Sequence, residues 1–274
     1  MSRICQRIGE EFAAWRARDL SAVRLDYLFL DASHFKMHPG APAEPVLTAW
    51  GIDTDGKPVF VGLGPASSES TDAWDDFLTD LVGRGLGAPL LGISDGAAGL
   101  TGAFDRAFPN SLRQRCLVHR ARNVLAKVST HDQAQVKVDF WAIFDVGDAE
   151  PGDHALTVGQ AQAEAFVGKW QRRYPSAVAC VTGDLASLTV HLRFPADHWH
   201  RIRHSNLIER TFGETRRRTK VIGRLPGEMS CLSLVWAVLD RASRGWRGVN
   251  QTPAGVRLLQ DLRRQLTHPP TLGR

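Results

Sequence analysis

Hydrophobic and polar positions change rhythm near residue 120. Ahead of that point, short apolar runs at 27–37 (YLFLDASHFKM), 45–53 (PVLTAWGID) and 58–64 (PVFVGLG) are separated by turn residues, the pattern of strands. Asp-Gly within DTDGK (53–57) joins the last two runs and predicts a hairpin, which accounts for Asp53 and Asp55. In STDAWDDFLTDLVGRGL (70–86), Trp74, Phe77, Leu78 and Leu81 fall on one helical face, with a capping serine or threonine before them and Gly83 and Gly85 after. A fourth strand at APLLGISDG (88–96), a short helix at GLTGAFDRAFP (99–109) and a fifth strand at LRQRCLVH (112–119) complete the order βββαβαβ. From about 120 to 200 the period becomes helical, as in HDQAQVKVDFWAIFDV (131–146) and ALTVGQAQAEAFVGKWQRRY (155–174). Neither an internal repeat nor a low-complexity tract interrupts the chain.

Composition narrows the class. A chain of 274 residues with 43% hydrophobic content can bury a real core. It has no run of eighteen apolar residues, and its charged first twenty residues do not resemble a signal peptide, so the expected compartment is the cytoplasm, with no membrane partner. Cys5, Cys116, Cys180 and Cys231 form no C-x-x-C pair; reduced thiols are expected, and no disulfide framework or zinc site.

The net charge of +5 is concentrated. From Arg201 to Arg224 there are eight basic and two acidic residues, leaving 26 basic and 27 acidic residues elsewhere. Such clustering fits a polyanion-binding face, although a solvated arginine-bearing helix would read the same way.

Asp31 ends the apolar run YLFLD and Asp95 the run LLGISD, so both are expected where buried strands reach the edge of a sheet. Two carboxylates held close together favour a hard divalent cation, Mg²⁺ being the natural one. The alternative is that each aspartate starts a turn, which suits Asp95 in SDG. Glu209 also has two readings. In SNLIERTFGETRRR it can close a capping box with Asn206 as N-cap, or share a helix face with Arg216, seven residues on, and supply a third metal-binding acid. In the second reading a phosphodiester held by Arg216, Arg217 and Lys220 passes in front of the carboxylate, and a pair of metal ions activates the attacking hydroxyl and stabilises the leaving oxygen.

The blocks YLFLDA, GLGPASSESTDAWDDFLTDLVGRGL, LLGISDGAAGLTGAFDRAFP, QRCLVHRARNVLAKV and RIRHSNLIERTFGETRRRTKVIGR, in this order over nearly the whole chain, resemble the catalytic region of bacterial mutator-type insertion-sequence transposases, DDE enzymes of the ribonuclease H-like superfamily. The resemblance implies an α/β fold, a ribonuclease H-like mixed five-stranded sheet with flanking helices, interrupted by an all-helical insertion before the last catalytic helix. The corresponding boundaries are an N-terminal helix or linker at 1–24, a catalytic domain at 25–120 and 203–250, the insertion at 121–202, and a C-terminal helix and tail at 251–274.

It also implies the triad Asp31, Asp95 and Glu209 as catalytic and metal-binding residues, with about two Mg²⁺ ions for which Mn²⁺ can substitute. A Cys-x-x-His signature follows the second acid as Cys116 and His119. With Arg120, Arg122, Asn206, Arg210, Arg216, Arg217 and Lys220 these form the DNA-contacting or site-supporting set; Cys116 is expected to pack in the sheet. The implied partners are transposon-end and target double-stranded DNA, bound by a homodimer or higher assembly in the nucleoid. Relatives usually carry a DNA-binding domain before the first acid, whereas thirty residues precede Asp31, so most of that domain is expected to be missing. The implied reaction is metal-dependent cleavage at transposon ends followed by strand transfer. The alternatives are a truncated non-catalytic DNA-binding or interfering fragment, and a ribonuclease H-like nuclease without strand transfer.

Overall fold

A computed structural model describes residues 3–38, 40, 42–219 and 227–268. Its first part runs α1 (Arg3–Arg16), β1 (Leu25–Phe35), β2 (Glu44–Asp53), β3 (Pro58–Pro65), α2 (Thr71–Gly83), β4 (Leu91–Ser94), α3 (Ala98–Ala107) and β5 (Leu112–Arg115). This is the order expected from the alternation of apolar runs. Helices follow as α4 (Leu117–Leu125), α5 (Gln133–Ala142), α6 (Asp153–Trp170), α7 (Pro175–Thr182), α8 (Leu185–Leu188), a 3-10 turn at Val190–Arg193, and α9 (Ala196–Ile202). The chain continues with α10 (Asn206–Thr219), α11 (Glu228–Ser243) and α12 (Pro253–Thr267). The five strands are ordered β3-β2-β1-β4-β5; β1–β2 and β2–β3 are antiparallel and β1–β4 is parallel. The fold is therefore the mixed α/β sheet with flanking helices expected of a ribonuclease H-like protein.

Two compact units divide the chain, one of Met1–Ser111 with Ser205–Val249, the other of Leu112–His204 with Asn250–Arg274. In the first, alternation sends Leu28 and Leu30 of β1 and Leu47 and Ala49 of β2 to one face, where they form a core with Trp74, Phe77, Leu78 and Leu81 of α2 and Leu100, Ala103 and Phe104 of α3. Each leucine or phenylalanine among them contributes about 1.5–3 kcal/mol when fully buried. The α2 stripe is the one the sequence spacing selects, and the Ser70 hydroxyl caps the helix by accepting from Ala73 N at 3.2 Å. Gly92 of β4 lets α3 sit low, since a Cβ there would lie 2.3 Å from Phe104 Cζ.

The opposite face carries an aromatic layer. Phe29 and Trp50 pack at 4.3 Å between ring centroids, Trp246 stands edge-on to Trp50 at 5.1 Å, and Trp15 meets Phe60 at 4.6 Å. Arg18 lies 4.2 Å above the Trp15 ring and donates to Val61 O at 3.0 Å, tying the end of α1 to β3. The hairpin is as expected: Asp53 Oδ1 accepts from Asp55 N at 3.0 Å and Lys57 N at 2.7 Å.

The second unit is built from helices, with Leu117 and Val124 of α4, Val136 and Phe140 of α5, and Phe166 and Trp170 of α6 in one cluster. The fifth strand is shorter than the expected LRQRCLVH. It ends at Arg115; Cys116 precedes α4, and Leu117 N donates to Arg203 O at 2.9 Å. From there Leu117, Ala121 and Val124 follow helical spacing, which overrides extension of the strand. Cys116 is fully buried, but as the residue that caps α4 and not as part of the sheet. Gln114 crosses this unit, donating to Leu188 O at 2.9 Å and accepting from His191 N at 2.8 Å.

Two outcomes test this packing. Gly92→Ala should lower unfolding stability by about 1–3 kcal/mol by urea denaturation, because Phe104 must move off the sheet. Burial holds His191 down to about 3 and His204 down to about 4, with the charge of Arg203 adding to the effect at both and His200 at His204. The unfolded chain therefore takes up protons first as pH falls below about 6.5. Stability should drop between pH 6.5 and 4, by at most about 1.4 kcal/mol per pH unit for each histidine. His204→Gln should flatten that slope in urea midpoints measured across the same range.

Candidate active site

Register sets the geometry. β1 and β4 pair as Tyr27↔Leu91, Leu28↔Gly92 and Phe29↔Ile93. Asp31 and Asp95 each lie two residues beyond the last of these pairs, Asp31 still within β1 and Asp95 just past the end of β4. Alternation puts Asp31 on the face of Phe29, opposite the core of α2 and α3. The two acids are not equivalent. Asp95 directly follows β4, as expected of a strand-end residue. Asp31 lies within β1, which continues to Phe35 on the strength of its ladder to β2, so Asp31 marks where β1 outruns β4 instead of where the strand ends.

Local hydrogen bonds position both carboxylates. Asp31 Oδ1 accepts from Ala32 N at 2.9 Å, and Asp95 Oδ1 accepts from Ala97 N at 2.9 Å. The latter is the turn-starting role that SDG suggested, with Gly96 at φ +81° turning the chain toward α3. Turn formation engages Asp95 Oδ1; a carboxylate has further acceptor positions. Beside Asp31 across β2 is Thr48, whose buried Oγ1 has no hydrogen-bond partner. Sequence reading passed over Thr48 and over Ser33, although Ser33 is two residues from Asp31 and thus shares its face.

Helix α10 covers this side of β1. Ile208, Thr211, Phe212 and Thr215 are its buried stripe, and Phe212 meets Phe35 at 6.2 Å between centroids. Arg216 Nη1 donates to Ser33 Oγ at 3.0 Å, bringing a guanidinium to the strand two residues from Asp31. Neighbouring arginines turn elsewhere. Arg217 and Arg218 pair with Glu214 at 2.8 and 2.7 Å, and these two cations hold the Glu214 carboxyl down to about 2. Arg216 and Arg217, grouped by the sequence, therefore differ in position and partner.

Glu209 is half-buried in the first turn of α10. The expected N-cap was Asn206, but the helix begins at that residue. Ser205 O accepts from Ile208 N at 3.0 Å and Glu209 N at 3.4 Å, so Ser205 occupies the cap position. Glu209 is then the fourth residue of the helix and not the third, which removes the capping-box geometry. Lys220 and the side chain of Arg210 lie outside the described residues.

The remaining expected residues belong to the second unit. His119 and Arg122 are on α4, half-buried and exposed respectively. Arg120 is buried and paired with Asp184, to which Arg115 also donates at 2.8 Å. Burial first, and then the charge of Arg115, lowers the Arg120 pKa. Its guanidinium is thus committed to the interior of its own unit.

The donors here, Asp31 on β1, Thr48 beside it on β2 and Asp95 just past β4, all offer oxygen, the donor type a hard cation takes. Among the described residues no group of three or more His, Cys, Asp or Glu side chains closes on one point. Mg²⁺ typically takes one or two carboxylates and completes its shell with water and substrate phosphate.

The family model for Transposase, Mutator family matches residues 1–248. The chain is 35% identical over 252 residues to the transposase for insertion sequence element IS6120 of Mycolicibacterium smegmatis, covering 91% of this chain and 75% of that protein. It is 32% identical over 279 residues to the transposase for IST2 of Acidithiobacillus ferrooxidans, covering 98% and 91%, and 33% identical over 253 residues to that for ISRM5 of Rhizobium meliloti, covering 92% and 62%. Among the described residues no helix is long and apolar enough to cross a membrane. With nine-tenths of its length matched by the family and by these relatives, the chain belongs to the Mutator family of transposases.

Proposed function

We propose that the chain is a DDE-type DNA transposase that cleaves phosphodiesters at transposon ends and joins the freed 3′-hydroxyl to target DNA. The observation that supports this reading is the parallel pairing of β1 with β4, beyond whose last pair Asp31 and Asp95 each follow by two residues, with α10 packed on the Asp31 side of β1. Asp31 and Asp95 hold divalent metal, and Glu209 on α10 supplies the third carboxylate. Mg²⁺, or Mn²⁺ in its place, neutralises phosphate charge and acidifies the attacking hydroxyl when bound there. Arg216, anchored to Ser33, holds a non-bridging phosphate oxygen beside the acids. In the first reaction water attacks phosphorus and the bond to the 3′-oxygen breaks. In the second, that 3′-hydroxyl attacks a target phosphodiester, and a new 3′-oxygen leaves. The protein acts on double-stranded DNA in the bacterial cytoplasm, at the nucleoid, as a homodimer or larger assembly. Arginine contacts to phosphate give affinity with little sequence information.

The direct test is Mg²⁺-dependent nicking and strand transfer by the purified chain on DNA carrying the element's ends. Asp31→Asn, Asp95→Asn and Glu209→Gln should each reduce both reactions by at least about 100-fold, since even outer-shell changes at metal sites cost about 10- to 100-fold. Activity equal to the parent in any of the three removes that residue from the triad, and equal activity in all three leaves a non-catalytic role.

Arg216→Ala should also weaken duplex binding and lower its salt slope by about one. Arg217→Ala should do so less, because Arg217 must first release Glu214. Anisotropy titrations at several salt concentrations distinguish the two.

A further inference from the structure

The second unit contains a groove of about 910 Å³ between α5 and α9. Trp141 and Lys137 line it from α5, Trp199 and His200 from α9, and Arg203 follows α9. Both indoles are half-buried and positioned by contacts outside the groove. Trp199 Nε1 donates to Phe194 O at 2.7 Å, and Trp141 stands edge-on to Phe140 at 5.5 Å between centroids. Arg203 Cζ lies 5.3 Å from the Trp141 ring centre, and its buried Nε has no hydrogen-bond acceptor. Lys137 and Asp145 are exposed at the rim. Burial lowers the His200 pKa, and nearby Arg203 and Arg201 lower it further, so at neutral pH the local charge is that of Lys137 and Arg203 against Asp145.

We propose that this groove binds one or two unpaired nucleotides of a DNA strand, bases against Trp141 and Trp199 and phosphate at Arg203 and Lys137. Its volume is in the range of small-ligand sites, about 300–1,000 Å³. Indole faces beside cations match a base and its phosphate together, and base–aromatic stacking needs no particular sequence. Duplex DNA could meet the cations, but its bases are paired and stacked and present no face to an indole. The inference rests on the reading of the chain as a DNA-processing enzyme, and it assigns the helical unit the unpaired part of the substrate.

Binding by the full chain would be measured by anisotropy with three labelled probes: an oligothymidylate of about twenty nucleotides, an abasic strand of equal length, and a blunt duplex. Trp141→Ala and Trp199→Ala should each weaken oligothymidylate binding about 5- to 100-fold and leave duplex binding within about twofold, while the phenylalanine variants keep most of the affinity. Lys137→Glu, at an exposed position, should weaken all three probes. The parent should bind the abasic strand as poorly as Trp199→Ala binds oligothymidylate, a comparison that does not depend on any variant folding. Equal parental affinity for abasic and base-carrying strands overturns the proposal, as does an equal loss of duplex and single-strand binding in the tryptophan variants. Asp31→Asn should retain oligothymidylate binding. A chain that binds it through the tryptophans but neither nicks nor joins DNA would refute the transposition chemistry and leave the groove intact.

Discussion

The parallel ladder between Tyr27–Phe29 and Leu91–Ile93 is only three pairs long, yet the position of both aspartates depends on it. Side chains alternate with a period of two, so a slip of one residue would turn the side chains of β4 to the wrong faces of the sheet and shift where the chain leaves it at Asp95. What prevents the slip is the contrast between those faces. One holds Leu28, Leu30 and the α2–α3 core, the other the Phe29–Trp50–Trp246 layer. Reversing the register would move Ile93 into the contact where Gly92 accommodates Phe104. The polar pair is therefore held in place mainly by apolar neighbours that never touch a ligand.

The same division of labour applies on α10. Its buried stripe of Ile208, Phe212 and Thr215 docks the helix, and the polar residues around that stripe are distributed by helical geometry. Arg216 is turned to Ser33 and Arg217 to Glu214, one residue and about 100° apart. Neighbouring arginines of a basic run that reads as one patch along the sequence, all exposed, thus take different partners.

Much of this is legible in the sequence. The stripe Trp74, Phe77, Leu78 and Leu81 identifies α2 because its period is unambiguous, and Asp-Gly identifies the hairpin because few other conformations suit it. Asp31 and Asp95 could be singled out as acids following apolar runs. That their strands pair in parallel, side by side, is a non-local property that single-run patterns do not contain. The end of β5 was hidden because LRQRCLVH is apolar enough for either structure, and only the tertiary bond from Leu117 N to Arg203 O shows where the strand gives way. At α10 both Ser205 and Asn206 are good caps, so the choice between them, and with it the local role of Glu209, was undetermined by residue type. Trp141 and Trp199 were invisible as a pair because helices from distant parts of the sequence bring them to one groove.

The first unit is assembled from two stretches of chain separated by residues 112–204. This has a consequence for the order of synthesis. Asp31 and Asp95 leave the ribosome together with every strand from β1 to β4, whereas Glu209 is 114 residues behind Asp95 in the sequence. At about 5–20 residues per second, that is a delay on the order of ten seconds. During it, the whole helical unit up to His204 can be made while α10 is still missing from the face of β1. The nascent chain therefore carries two of its three candidate acids on a growing sheet and receives the third only when most of the protein exists.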